Sequence, residues 1–191
     1  MWKIVIRAFL LLLAVTVLTG VLYPLAVTGL AQLFFPSQAN GSLIRNQGKV
    51  IGSVLIGQDF RSPRYFHGRP SAANYDATAS GGSNLGPTNR VLLKTIADRV
   101  KAVRQENQLS VDHPVPSDLV TASASGLDPH ISPDGALLQI PRVAKSRRLS
   151  VATVRQLVQK YTEHPVLGIL GSSRVNVLRI NLALDSLKNG G

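Results

Sequence analysis

The charges of this chain are absent from one long stretch near its start. From Ala8 to Phe35 it reads AFLLLLAVTVLTGVLYPLAVTGLAQLFF, without an Asp, Glu, Lys, Arg or His. Wound as a helix at about 1.5 Å per residue, such a run reaches ~42 Å. The hydrocarbon core of a bilayer is only ~30 Å thick. A lone span must satisfy its backbone internally, so a helix is its form in lipid. Pro24 lacks an amide donor and predicts a kink or the outer third of the span. Gly20 and Gly29, with Ala14, Thr19 and Ala26 nearby, are small enough to let a second helix approach, and they predict a packing face. A cleaved signal peptide is the rival reading, because Lys3 and Arg7 make a basic start and Gly29-Leu30-Ala31 passes for a cleavage site. The run, however, outlasts the ~7–15 residues of a signal core and continues through Leu33-Phe34-Phe35, so a permanent anchor is expected.

After Pro36 the pattern shortens. Pro36 to Gly41 (PSQANG) is a turn-rich break. Leu43-Ile44 and Val50 to Ile56 then flank Asn46-Gln47-Gly48, which predicts a β-hairpin. Residues 57–87 hold Gly57, Pro63, Gly68, Pro70, Gly81, Gly82, Gly86 and Pro87, interspersed with Phe60, Tyr65, Phe66 and Tyr75. A loop that long is functional or disordered, and its aromatic residues predict an ordered binding or docking loop. Leu92, Leu93, Ile96, Val100 and Val103 recur at helical spacing, predicting an amphipathic helix over 89–106 capped by Thr88 or Asn89. A second loop spans His113 to Ile131. Ser132-Pro133 reads as a cap and first-turn proline, opening a helix over 133–146 that Pro141 should bend or restart. Ser150 caps a third helix, with Val151, Val154, Leu157, Val158 and Tyr161 on one side. Val175 to Leu187 fits both periods, with a helix favoured over its second half.

Charge adds a topology and a surface. Of the 21 Lys and Arg side chains, Lys3 and Arg7 precede the apolar run, and the other 19 accompany ten acidic ones. The two early cations favour a cytoplasmic N-terminus, and long domains translocate largely regardless of charge. The expected organisation is therefore a cytoplasmic segment 1–7, a transmembrane helix 8–35 and an extracytoplasmic soluble domain 36–191. The expected fold is a single N-terminal transmembrane helix plus an α+β domain, a β-hairpin or small sheet packed with about three to four helices. A basic surface favours anionic neighbours, unless it is merely solvated. The chain has no cysteine, which excludes disulfides, thiol catalysis and cysteine metal sites.

Candidate chemistry is sparse. Ser80-Gly81-Gly82-Ser83-Asn84 offers backbone amides and hydroxyls to an anion, but it lacks the lysine and preceding strand of a phosphate loop, so a tight packed loop is the favoured reading. Asp128-Pro129-His130, with Asp118 and Asp134 nearby, suggests acid/base or metal work. His67, His113 and His164 show no metal-ligand spacing, and structural hydrogen bonding is the favoured reading. No G-x-S-x-G elbow accompanies the Ser, His and Asp residues. Tyr65, Phe66, His67 and Arg69, with Asp128 and His130, suit subunit docking; the alternative is that the aromatics fill the core. No groove-reading or RNA-binding element is present, so no nucleic acid is expected.

Five motifs in one order then carry a resemblance: Tyr65 to Ala72 (YFHGRPSA), Ser80 to Asn89 (SGGSNLGPTN), Asp118 to Ser132 (DLVTASASGLDPHIS), Gln139 to Ala144 (QIPRVA) and Val175 to Asp185 (VNVLRINLALD). With the N-terminal span, the chain resembles the C-subunit family of the Kdp potassium-transporting P-type ATPase over nearly its whole length. Ala124 stands where the family usually has glycine, and Arg148 where a small residue is frequent. The resemblance implies a bacterial inner-membrane complex in which a channel-like subunit takes up K+ and a P-type subunit hydrolyses ATP with Mg2+. It implies an accessory subunit with no catalytic residues, cofactor or metal of its own, an assembly factor and catalytic chaperone that raises the pump subunit's ATP affinity. In that ATP scheme the loop Ser80, Gly81, Gly82, Ser83, Asn84 and the glutamine at Gln139 contact nucleotide. An extracytoplasmic domain conflicts with contact to cytoplasmic ATP, so the preferred mechanism is that the helix, held in the lipid bilayer, packs against the partner subunits while the outer domain sits over the channel mouth, stabilising the complex and shaping K+ entry. Two other readings stay open: a membrane-tethered basic module binding anionic envelope components, with salt-sensitive binding, and a hydrolase, which would need a coherent acid/base pocket.

Overall fold

The computed structural model describes residues 1–188, and the chain divides into two units, Met1–Ile51 and a second from Gly52 onward. In the first unit one continuous helix runs over Trp2–Phe34. It comprises α1 (Trp2–Val17), a π-turn (Leu18–Leu22) and α2 (Tyr23–Phe34). None of its residues is buried. The widened turn lies just upstream of Pro24, whose ring cannot donate to the Gly20 carbonyl and would crowd it in a regular turn. Thr19 Oγ1 donates to Val15 O at 2.8 Å there. The proline thus disturbs the helix without ending it. A short helix, α3 (Pro36–Ala39), leads into the hairpin of β1 (Leu43–Asn46) and β2 (Lys49–Ser53). Its turn residues Gln47 and Gly48 have φ +48° and +79°. Two successive positive values are the type I′ signature, whose twist matches that of the flanking strands.

The second unit holds α4 (Arg90–Glu106), β3 (His130–Ile131), α5 (Pro133–Arg147), α6 (Val151–Tyr161), β4 (Thr162–Glu163), β5 (Arg174–Asn176) and α7 (Val177–Lys188). Single-turn 3₁₀ segments lie at Ala77–Ala79 and Ser117–Leu119. The three short strands form an antiparallel sheet in the order β3-β5-β4, with Ile131 opposite Val175 and Thr162 opposite the same residue. Helices α5, α6 and α7 pack on β5 and enclose the core of Phe66, Ile131, Ile140, Val143, Val154, Val158, Val175, Ile180 and Leu184.

The caps follow the sequence. Asn89 Oδ1 accepts from the Val91 amide, Ser132 Oγ from Gly135 and Ser150 Oγ from Thr153. Each satisfies an amide that a helix N-terminus otherwise leaves unpaired. Helix α5 passes through Pro141 without a break, so the proline does not restart it. Pro141 and Leu137, whose carbonyl loses its partner, both lie on the exposed side, while Gln139, Ile140, Arg142 and Val143 hold the other side in place. The two-period segment at the C-terminal end is both elements in succession. Asn176 ends β5, and its Oδ1 accepts from the Arg179 amide at 3.1 Å, capping α7.

Helix α5 closes with a Schellman turn. The Leu149 amide donates to Ala144 O, the Arg148 amide donates to Lys145 O, and Arg148 has φ +57°. A non-glycine residue in that conformation costs ~1–2 kcal/mol, part of which glycine's unfolded-state entropy offsets. Arg148→Gly is therefore expected to stabilise the domain by about 0.5–1 kcal/mol, read as a higher thermal unfolding midpoint.

Candidate functional site

The segment Pro63 to His67 runs through the domain without belonging to a strand, and side chains take the place of a strand partner. On one side Asn181 of α7 clamps Phe66: the Phe66 amide donates to Asn181 Oδ1 at 2.8 Å, and Asn181 Nδ2 donates to Phe66 O at 2.9 Å. On the other, Gln139 of α5 clamps His67: the His67 amide donates to Gln139 Oε1 at 2.8 Å, and Gln139 Nε2 donates to His67 O at 3.2 Å. Gln139 Nε2 also reaches Gly135 O at 3.1 Å. Both amides are almost completely buried, Gln139 at 2% exposure and Asn181 at 1%. A buried amide is tolerated only when its donors and acceptors are used, and here each grips a backbone as a neighbouring strand would.

Two arginines of α5 complete the grip. Arg142 Nη1 donates to Pro63 O (2.7 Å) and Tyr65 O (3.0 Å), Nη2 to Gln139 Oε1 (2.7 Å), and Nε to Asn107 Oδ1 (3.0 Å). Burial lowers the Arg142 pKa, and Glu106, 3.7 Å from Nε, opposes that shift. Arg147 Nε donates to Arg64 O at 2.6 Å, and Nη2 to Asp185 Oδ1 at 2.8 Å. Its guanidinium lies 4.8 Å from the Tyr65 ring centroid, a cation–π distance. The Tyr65 hydroxyl binds the same Asp185.

A cleft of about 460 Å³ opens beside this segment, lined by His67, Arg69, Tyr75, Glu106, Asn107 and Gln139 among others. His67 Nδ1 stands 3.2 Å from Glu106 Oε1, and its Nε2 stands 3.1 Å from Ser62 O. The hydrogen bond from His67 holds the Glu106 carboxyl below its ordinary pKa despite burial. Tyr75 donates its hydroxyl to Arg69 O, and burial, with Asp59 and Asp128 nearby, pushes its pKa up to about 12.

Arg69, Asp128 and His130 form a second cluster. Arg69 Nη1 donates to Asp128 Oδ2 at 3.0 Å, and the His130 amide donates to Asp128 Oδ1 at 3.0 Å. Burial pushes the Asp128 pKa up, but the hydrogen bonds from His130 and Arg69 outweigh it and hold the value at about 2. Its folded value lies below the ordinary 3.8, so the carboxylate stabilises the domain fully above that ordinary value. The contribution is lost as pH falls towards 2. Unfolding measured between pH 6 and pH 2, at about those limits, is expected to show a steeper acid loss for the parent chain than for Asp128→Asn. Asp118 accepts from the Ser132 amide at 2.6 Å and from Ser132 Oγ at 3.1 Å, fixing the start of α5. Among the described residues no group of three or more His, Asp or Glu is placed to hold a metal.

The sequence-selected residues therefore fall into separate places. Ser80 to Asn84 form a loop pinned to Ser123–Gly126: Gly81 N–H donates to Ser125 O at 2.9 Å, and Ser80 Oγ donates to the same carbonyl. A Cβ on Gly126, at φ +67°, would stand 2.7 Å from Gly81 O, so glycine is required at that contact. Gln139 is bound elsewhere, to His67, Gly135 and Arg142. Of the docking candidates, Phe66 has no exposed surface and fills the core. Tyr65 is occupied by Asp185 and Arg147, while His67, Arg69, Asp128 and His130 are partly exposed and joined in the two clusters above. Arg142, Asn181, Glu106 and Asn107 were not singled out from the sequence. The available signal was a polar residue on an apolar helical face, Gln139 and Arg142 beside Ile140 and Val143, and Asn181 beside Ile180.

The exposed 33-residue apolar helix Trp2–Phe34, long and apolar enough to cross a membrane, marks a membrane-associated protein. The family described as KdpC, K+-transporting ATPase, c chain, matches residues 5–186. The chain is 57% identical to the potassium-transporting ATPase KdpC subunit of Mycobacterium bovis (strain BCG / Pasteur 1173P2), over 94% of this chain and 96% of that one. It is 58% identical to the subunit of that name from Methylococcus capsulatus, covering 95% and 96%, and 52% identical to that of Rhodopseudomonas palustris (strain TIE-1), covering 97% and 98%. The chain belongs to the KdpC family of K+-transporting ATPase subunits.

Proposed function

We propose that this chain is an accessory, non-catalytic subunit that holds the K+-transporting complex together. Its helix spans the bacterial inner membrane and packs against the channel-like and P-type subunits, and its domain sits outside the cytoplasm over the channel mouth. Complete lack of burial along Trp2–Phe34 carries the reading, because such a surface needs lipid and neighbouring helices. A Cβ on Gly20 or on Gly29 would meet nothing within 4 Å in the chain itself, so both positions are open to another helix. The N-terminal cations Lys3 and Arg7 favour the cytoplasmic side.

The same reading favours support over direct nucleotide contact. Gln139 spends its side-chain amide on the His67 and Gly135 backbone and on Arg142, and the Ser80–Asn84 loop is tied to its neighbour. Any rise in ATP affinity of the pump subunit then comes from a better-held complex. A chain ending after residue 36, with its helix intact, tests this. Poorer recovery of the partner subunits and weaker K+ affinity are expected; unchanged assembly and affinity would rule the proposal out.

A further inference from the structure

The turn between β4 and β5 carries apolar side chains that neither the core nor the cleft uses. Val166 and Leu170 pair in an antiparallel bridge, each amide donating to the other's carbonyl at 2.9 and 3.0 Å. Leu167, Gly168 and Ile169 form the tip between them. Leu167 is 85% exposed, Ile169 79%, Val166 60% and Leu170 59%. Leu167 also has φ +55°, a conformation that glycine or asparagine adopts far more easily. A leucine in that conformation, with most of its surface in solvent, contributes nothing to the stability of its own domain.

We propose that this tip enters the interfacial layer of the bilayer that anchors the Trp2–Phe34 helix. Val166, Leu167, Ile169 and Leu170 sit at the edge of the acyl chains, and the basic residues at the base of the turn meet anionic headgroups. Composition favours lipid over a protein partner, since protein hot spots are rich in Trp, Tyr and Arg and poor in Leu and Val. The tip is wholly aliphatic apart from its glycine. Charge agrees. Lys160 is exposed at the end of α6, and Arg174 and Arg179 share the single carboxylate of Glu163 at 3.1 Å each, leaving the base of the turn net positive. An aliphatic tip above a cationic base is the pattern by which peripheral segments hold an anionic interface.

The proposal rests on the anchor reading, and one experiment separates the two. Trp2 is the single tryptophan. The full chain is reconstituted in vesicles of mixed anionic and zwitterionic lipid whose acyl chains are brominated. Quenching of Trp2 in the parent chain reports the anchor alone. The variant with Trp2→Phe and Leu167→Trp reports the turn; the substituted site is exposed, and an unchanged unfolding midpoint confirms the fold. A control carries Trp2→Phe and Gln105→Trp on the exposed side of α4. Expected is loss of the greater part of the Leu167→Trp emission, with a blue shift, and an unquenched Gln105→Trp. Solvent-like, unquenched emission at Leu167→Trp overturns the proposal, as does equal quenching of the control. A blue shift without quenching that needs added partner subunits also overturns it and assigns the turn to a protein contact.

Discussion

Arg142→Met is expected to destabilise the domain by about 3–5 kcal/mol, the loss typical of breaking a buried, hydrogen-bonded charge cluster. Methionine fills most of the volume but supplies no donor. The carbonyls of Pro63 and Tyr65 and the Oδ1 of Asn107 then lose their guanidinium partner in a site where the arginine side chain is 5% exposed. An unpaired buried acceptor costs its desolvation without return. Arg142→Lys is expected to recover little, because an ammonium cannot reproduce the planar fork that reaches Asn107, Gln139 and two carbonyls together. Chemical unfolding of the detergent-solubilised full chain reads the difference; a loss under ~1 kcal/mol, in the range of a surface pair, would show that the hub is dispensable.

Gln139→Leu is the second large effect, about 2–4 kcal/mol, from leaving the amide and carbonyl of His67 and one Arg142 donor unsatisfied. This substitution also separates the two views of Gln139. As a backbone clamp it acts on stability, so the half-maximal ATP concentration of complexes that still assemble stays where it was. As a nucleotide contact it would shift that concentration and leave the unfolding midpoint alone. The expected outcome is a lower midpoint with an unshifted ATP dependence.

The parts of this fold that local chemistry decides were legible in the sequence. The apolar helix, the Gln47-Gly48 hairpin turn and the helices capped by Asn89, Ser132 and Ser150 all follow from rules that act within a few residues. The β3-β5-β4 sheet was not legible, because strands of two and three residues are too short to show an alternating period. Asn176 hid the other boundary: one residue ends a strand and caps a helix, so two periods overlap across it. The clamp was half visible. Gln139 and the Phe66–His67 pair lie in the motifs that carried the family resemblance, but their pairing across 72 residues of sequence leaves no local pattern. A buried polar side chain on an apolar face marks such a partner without naming it. Phe66 shows the converse, since its aromatic character suited both a docking surface and a core, and full burial belongs to the core.

Everything proposed for the complex depends on the domain lying outside the cytoplasm, beyond the reach of ATP. Protease added to intact spheroplasts of cells making the tagged chain tests that placement most directly. The account predicts digestion of the residues beyond about position 36 and survival of a short, membrane-embedded N-terminal fragment. Full protection of the domain, with digestion only after the membrane is opened by detergent, would contradict it and return the Ser80–Asn84 loop and Gln139 to the nucleotide's side of the membrane.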